Sequence, residues 1–107
     1  MILAWIAVTV LPEKQLEFRQ TLLSMIEPIE NEIGCRRFSV LCDIENENFF
    51  NIIEEWETRE DLNRHIKSHR FSILLGSKAL LREPLKIKIF TISETEGNET
   101  IAHLRKK

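Results

Sequence analysis

Glu54 interrupts an apolar row. It falls in the run Phe49 to Glu57, where Phe50, Ile52, Glu54 and Trp56 alternate onto one face, so a carboxylate stands where the pattern asks for a hydrocarbon. A carboxylate withdrawn from water holds its proton more tightly, and one poised near neutrality suits proton abstraction from a phenol. The competing role is an ion pair, with Arg37 as partner, or a cap on a sheet edge. His65 is the second candidate. It lies three residues after Leu62 and one before Ile66, which puts its imidazole at the rim of an apolar helical face near the sheet. That makes it the first choice of base, against a hydrogen-bonded structural histidine. His65 and His69 have i, i+4 spacing, but catalytic zinc takes about three protein ligands and no third is evident, so no metal is expected.

Four aromatic residues, Trp56, Phe38, Phe71 and Trp5, are expected to line a flat pocket between sheet and helices where a planar ligand stacks, although residues at such spacing also simply build a core. The chain has no tyrosine, which excludes any mechanism that needs a phenolic acid or base. It also lacks a glycine-rich phosphate loop, a Cys-x-x-Cys pair and a serine nucleophile elbow.

These residues need strands and helices to hold them. Ile2 to Val10 is apolar on both alternating faces, Leu3, Trp5 and Ala7 on one and Ile2, Ala4, Ile6 and Val8 on the other, and reads as a strand buried twice. Pro12 opens a helix whose inner face carries Phe18, Leu22, Met25, Ile26, Ile29 and Ile33 before Gly34 stops it, with a kink or tightened turn expected at Pro28. Cys35 to Ile44 alternates as a second strand, with Phe38, Val40 and Cys42 on one face and Arg37, Ser39 and Asp43 on the other. The polar loop Glu45 to Asn48 joins it to Phe49 to Glu57. Thr58 and Asp61 form an acidic capping box for a second helix with Leu62, His65, Ile66 and His69 inward. Arg70 to Leu81 reads as a third helical segment weakened at Gly76, and Leu85 to Ile92 as an edge strand with Leu85, Ile87 and Ile89 inward and Lys86 and Lys88 outward. Ser93 to Lys107 reads as a polar, mobile C-terminal tail, leaving residues 1–92 as the folded domain.

The order strand, helix, strand, strand, helical region, strand implies an α+β, ferredoxin-like βαββαβ fold, one four-stranded antiparallel sheet with helices on one face. The other face stays apolar, and a second copy packing sheet against sheet as a dimeric α+β barrel is the natural cover.

With 107 residues, 43% hydrophobic and 30% charged, the chain has room for one core. Its net charge of -2 comes from interleaved acids and bases, with no basic stripe for nucleic acid. No apolar stretch approaches a membrane span, and Ile2 to Val10 has neither the basic flank nor the cleavage pattern of a signal. Cys35 and Cys42, an odd number apart on one strand, are expected on opposite faces and too far apart to bridge. Two free thiols point to a cytoplasmic setting.

Taken together, Gly34-Cys35-Arg36-Arg37-Phe38, Glu54-Glu55-Trp56, Leu62-Asn63-Arg64-His65 and Ser68 to Phe71 make the chain resemble the antibiotic biosynthesis monooxygenase domain over residues 1–92. The resemblance implies a homodimer with a small-molecule cavity in each protomer. It also implies a cofactor-independent monooxygenase that uses O₂ on a small quinol or phenolic substrate, the substrate supplying the electrons. In that setting His65 or Glu54 takes the proton, Trp56 and Phe38 wall the substrate, and Asn51 or Arg37 stabilises oxyanion charge, Asn51 less readily because it faces away from Glu54. Ser68-His69-Arg70-Phe71 departs from the Ser-Pro-His-Phe of many relatives, so the role of that second histidine is not carried over. The pattern of haem-degrading relatives is also missing, with Ala4 to Ala7, His65 and Leu75 at the corresponding places. The alternative is a non-catalytic or isomerising member that binds a small metabolite.

Overall fold

Burial along the first strand alternates strictly: Ile2, Ala4, Ile6 and Val8 are sealed, while Trp5 between them is 45% exposed. One face of this strand meets the core and the other is open in the single chain, so the expected double burial is not present within one protomer. The computed structural model describes residues 1–106. Its elements are β1 (Ile2–Thr9), a 3-10 turn at Pro12–Lys14, α1 (Gln15–Glu30), β2 (Cys35–Cys42), β3 (Phe49–Trp56), α2 (Arg59–Ile66), α3 (His69–Gly76), a 3-10 turn at Ser77–Leu80, β4 (Lys86–Thr91) and α4 (Asn98–Leu104). The sheet order is β2-β3-β1-β4 with every neighbouring pair antiparallel, the arrangement a ferredoxin-like βαββαβ chain makes.

The core forms between the helices and one sheet face. α1 turns Phe18, Leu22, Met25 and Ile29 inward, and they meet Ile6, Ile52, Phe50 and Trp56 from the strands. The helix runs through Pro28 but ends at Glu30, short of Gly34, and Ile33 lies in the turn beyond it, 74% exposed and not on the inner face. Gly34 has φ +82°, and a Cβ there would collide with the Asp61 side chain. This glycine lets β2 start directly beneath α2. The Gly34 carbonyl accepts from the Glu57 N–H at 2.8 Å, tying the turn to the end of β3.

Several expectations need correction. A bulge between Cys35 and Arg37 inserts one residue, so Cys35 pairs with Trp56 and Cys42 with Phe50, and both thiols fall on the helix face of the sheet rather than on opposite faces. They remain unbridged at the two ends of β2. The third helical segment does give way at Gly76, the weak point expected, into α3 and a 3-10 turn. On β4, Ile87 and Ile89 do align with Ile6 and Ala4 on the helix side, but both stay exposed, 40% and 37%. The segment expected as a mobile tail contains α4, a short helix with no buried residue.

Candidate functional site

Three ionisable side chains from three elements meet under α2. β3 contributes Glu54, whose alternation with Phe50, Ile52 and Trp56 turns it inward as the sequence indicates. α2 contributes His65. Its helix starts where the Thr58 hydroxyl accepts from the Asp61 N–H at 3.2 Å, the expected acidic capping box, and Leu62 and His65 are its buried residues. The third member, Glu32, comes from the turn between α1 and β2, where its N–H bonds the Ile29 carbonyl at 3.0 Å and its carbonyl accepts from Cys35 at 3.1 Å.

The imidazole is clamped on both edges. Nδ1 lies 3.0 and 3.2 Å from the two Glu32 oxygens, and Nε2 lies 3.4 Å from Glu54 Oε2. The latter contact is an ion-pair distance without good hydrogen-bond alignment, and neither atom has another partner. Glu54 Oε1 is held by the Trp56 indole N–H at 3.0 Å. Trp56 stacks on the imidazole at 4.7 Å between centroids, and Phe71 meets its edge at 5.4 Å. Burial alone would drive His65 toward its neutral form, but hydrogen bonding and charge from Glu54 and then Glu32 outweigh it, and the net pKa is raised. Nδ1 has acceptors in Glu32 and Nε2 faces a carboxylate oxygen at ion-pair distance, and both favour the imidazolium. Burial, reinforced by the carboxylates of Glu54 and Glu32 and partly opposed by a backbone hydrogen bond from Arg37, pushes the Cys35 thiol up to about 11, so it stays protonated beside them.

The site residues read from sequence separate into two groups. Glu54, His65, Trp56, Phe38 and Phe71 gather on the helix face of the sheet, where they pack as core: Glu54 and His65 are each only 1% exposed, so His65 is sealed rather than placed at a rim. Trp5, Asn51 and Arg37 lie on the opposite face. The Trp5 indole donates to Asn51 Oδ1 at 2.7 Å, and both help line an open cavity of about 340 Å³ with Ala7, Phe49, Lys86, Lys88 and Phe90. Arg37 donates to Ser39 at 2.8 Å and pairs with Glu55 at 3.5 Å, well away from Glu54. The expected single aromatic pocket is therefore divided by the sheet itself. His69 begins α3 and is exposed, off the inner face that carries His65.

Glu32 is the functional candidate that sequence reasoning missed. Its signal was present, since it follows Ile29 by three residues and continues the inner face of the α1 pattern. It is also the member of the trio that reaches water, 15% exposed at its side chain. It borders a concavity of about 860 Å³ between the end of α1 and the α2–α3 junction.

This sheet and its one-sided helices define a ferredoxin-like α+β domain. The model of the antibiotic biosynthesis monooxygenase family matches residues 1–72, and the chain belongs to that family. It is 34% identical over 90 residues to the uncharacterized protein sll1783 of Synechocystis, a match covering 83% of this chain and 61% of that protein, so the chain spans less than two thirds of the curated relative's length. Among solved structures, a conserved protein from Methanosarcina mazei Go1 is similar at 30% identity and a TM-score of 0.78, over 83% of this chain and 89% of that one. A candidate antibiotic biosynthesis monooxygenase from Deinococcus radiodurans matches at 21% identity and a TM-score of 0.85, over 92% and 98% of the two chains, a likeness of fold.

Proposed function

We propose that the protein is a cofactor-independent monooxygenase of a small electron-rich aromatic, a phenol or quinol, and that Glu54 and His65 handle the substrate's proton. The observation that carries this reading is the clamp on His65, which is a costly arrangement for packing alone. A carboxylate and an imidazole sealed from water lose several kcal/mol of hydration each, and a hydrocarbon pair would fill the same space without that cost. Such buried, charge-coupled groups concentrate where protons are moved.

The reaction needs no external reductant. Deprotonation of the substrate gives a carbanion, which adds O₂; the peroxide takes back a proton and collapses, leaving one oxygen atom on carbon as a carbonyl and releasing the other as water. The substrate's carbon supplies all four electrons that O₂ accepts. The protein's part is to hold a flat ring, favour its deprotonated form and keep bulk water from the carbanion. The open sheet face, with Leu3, Trp5, Leu41, Ile53 and Phe90 uncovered or half covered, supports a homodimer closed sheet against sheet. No helix among the described residues is long and apolar enough to cross a membrane, and the two unbridged thiols support a cytoplasmic setting.

Oxygen uptake tests the activity. Purified protein should consume O₂ with a member of a panel of hydroquinones, naphthols and anthrones, and His65→Ala or Glu54→Gln should lower that rate at least about 100-fold. No uptake above background across the panel sinks the assignment. The sealed position of His65 and Glu54 favours a second reading, a member that binds a small metabolite without turnover. A metabolite retained in native mass spectrometry, with no uptake in air, would decide for it.

A further inference from the structure

A substrate in this molecule has no direct path to His65 or Glu54, because both side chains are sealed. Glu32 is the member of the trio that opens outward, and the groove it borders sets a few apolar side chains among polar and charged ones of both signs, Glu27 and Asp61 included. Its floor and walls include Leu23, Pro28 and Ile33, with Leu23 60% and Ile33 74% exposed, so their side chains are open to a ligand. Cations stand at the same place: Arg70 Nη1 is 3.9 Å from Glu32 Oε2, and Arg64, paired with Asp61 at 3.0 Å, lines the same groove.

We propose that this groove is the substrate site, that Glu32 is the catalytic base that touches the phenol and stores its proton, and that His65 and Glu54 form a relay behind it, in which the Nε2 proton shifts to Glu54 as Glu32 loses its charge and shifts back when Glu32 regains it. The assignment rests on the oxygenase reading above for its chemistry, but not for its geometry.

The relay follows from the contacts. The apolar ring lies on Leu23 and Ile33, and its hydroxyl faces Glu32, with Arg70 beside the oxyanion that forms. Glu32 takes the proton on one oxygen while Nδ1–H goes on donating to the other, and as Glu32 loses its charge the imidazolium gives its Nε2 proton to Glu54 Oε2. The phenol's proton then sits on Glu32, and the imidazole is neutral with Nδ1–H in place throughout. Glu54 suits the terminal position because its Oε1 is fixed by Trp56 while Oε2 faces Nε2 with no other partner. When O₂ has added, the same steps reversed deliver the proton to the peroxide, so the first proton removed is the one that permits loss of water.

Two readouts on the whole protein test this separately. The first is binding, followed through the methyl resonances of Leu23 and Ile33 and the ring resonances of His65 as 1-naphthol is added. Shifts at all three are expected, and Leu23→Arg, on an exposed position that folding does not need, should abolish them. Shifts confined to Trp5 and Phe90, at the cavity on the other face, overturn the groove whatever the activity. The second is turnover. Glu32→Gln should lower kcat at least about 100-fold with KM within about threefold, and Glu32→Asp should recover part of the loss. A folded Glu32→Gln protein that turns over at the wild-type rate overturns the base assignment. If wild-type protein consumes no O₂ with any substrate, the oxygenase reading fails and the relay with it, while the binding site is decided by the methyl shifts alone.

Discussion

The two faces of β3 carry the same kind of residue to opposite ends. Glu54 and Glu55 are sequence neighbours, yet Glu54 is sealed against His65 and Trp56 while Glu55 shares a loose contact with exposed Arg37 at 3.5 Å. One carboxylate is part of a fixed constellation with no water to replace a lost partner. The other can exchange its arginine for solvent at almost no cost. Residue type therefore says little about chemistry here; the side of the sheet decides it.

The sharpest way to break this contrast is to remove each carboxylate in turn. Glu54→Ala strands the Trp56 indole N–H and one edge of a charged imidazole inside the core, and should cost about 3–5 kcal/mol in urea unfolding. Glu55→Ala should stay within about 0.5 kcal/mol. Equal losses would show that burial of Glu54 is not the difference that matters.

Gly34 sharpens the comparison from the backbone. It holds a positive φ beneath Asp61 and fixes the turn that presents Glu32 to His65. Gly34→Ala should cost roughly 1–3 kcal/mol, because the methyl must both enter the left-handed region and displace Asp61. Gly76 has ordinary φ and open space around it, so Gly76→Ala at the end of α3 should be neutral or slightly stabilising. A Gly34→Ala protein as stable as wild type would remove the turn from the account of how the clamp is built.

Charge separates the faces along the pH axis. The folded pKa of His65 is raised above the 6.5 of a free imidazole, through Glu54 and Glu32 against the pull of burial; Cys35 stands nearby protonated, and Arg70 faces Glu32 from α3. A raised folded pKa means that the imidazolium form contributes stability in full below about pH 6.5, and that this contribution fades as pH climbs through the higher folded value. Urea midpoints should fall on going from neutral toward alkaline pH, and His65→Gln should flatten that window. A wild-type midpoint that rises there would mean the imidazole is neutral in the clamp.

How much of this was legible in the sequence follows from what each signal depends on. Strand and helix periods are local, so the βαββαβ order and the inward direction of Glu54 and His65 could be read along the chain. The bulge at Cys35 and Arg37 could not, because one inserted residue puts Cys35 on the same face as Phe38, Val40 and Cys42 and leaves no mark in composition. Nor could the partnership of Glu32 with His65, which joins a turn to a helix 33 residues on. The exposure of Ile87 and Ile89 was missed for a related reason: alternation gives the face of a strand but not whether that face is covered. The same limit put Trp5 into one imagined pocket with Trp56, when the sheet lies between them.

The smallest effect on the protomer is expected on the open face, and it bears on what that face is for. Trp5 is 45% exposed and holds Asn51 through one exposed hydrogen bond, so Trp5→Ala should change the unfolding free energy of dilute, monomeric protein by less than about 1 kcal/mol. If the face is closed by a second copy, the same substitution removes a large aromatic from the centre of an interface, where such residues carry most of the binding energy. Sedimentation should then show Trp5→Ala shifting toward monomer at concentrations where the wild type is dimeric. A Trp5→Ala protein unchanged in both measurements would mean that the open face is neither core nor interface, and its apolar surface would need another partner.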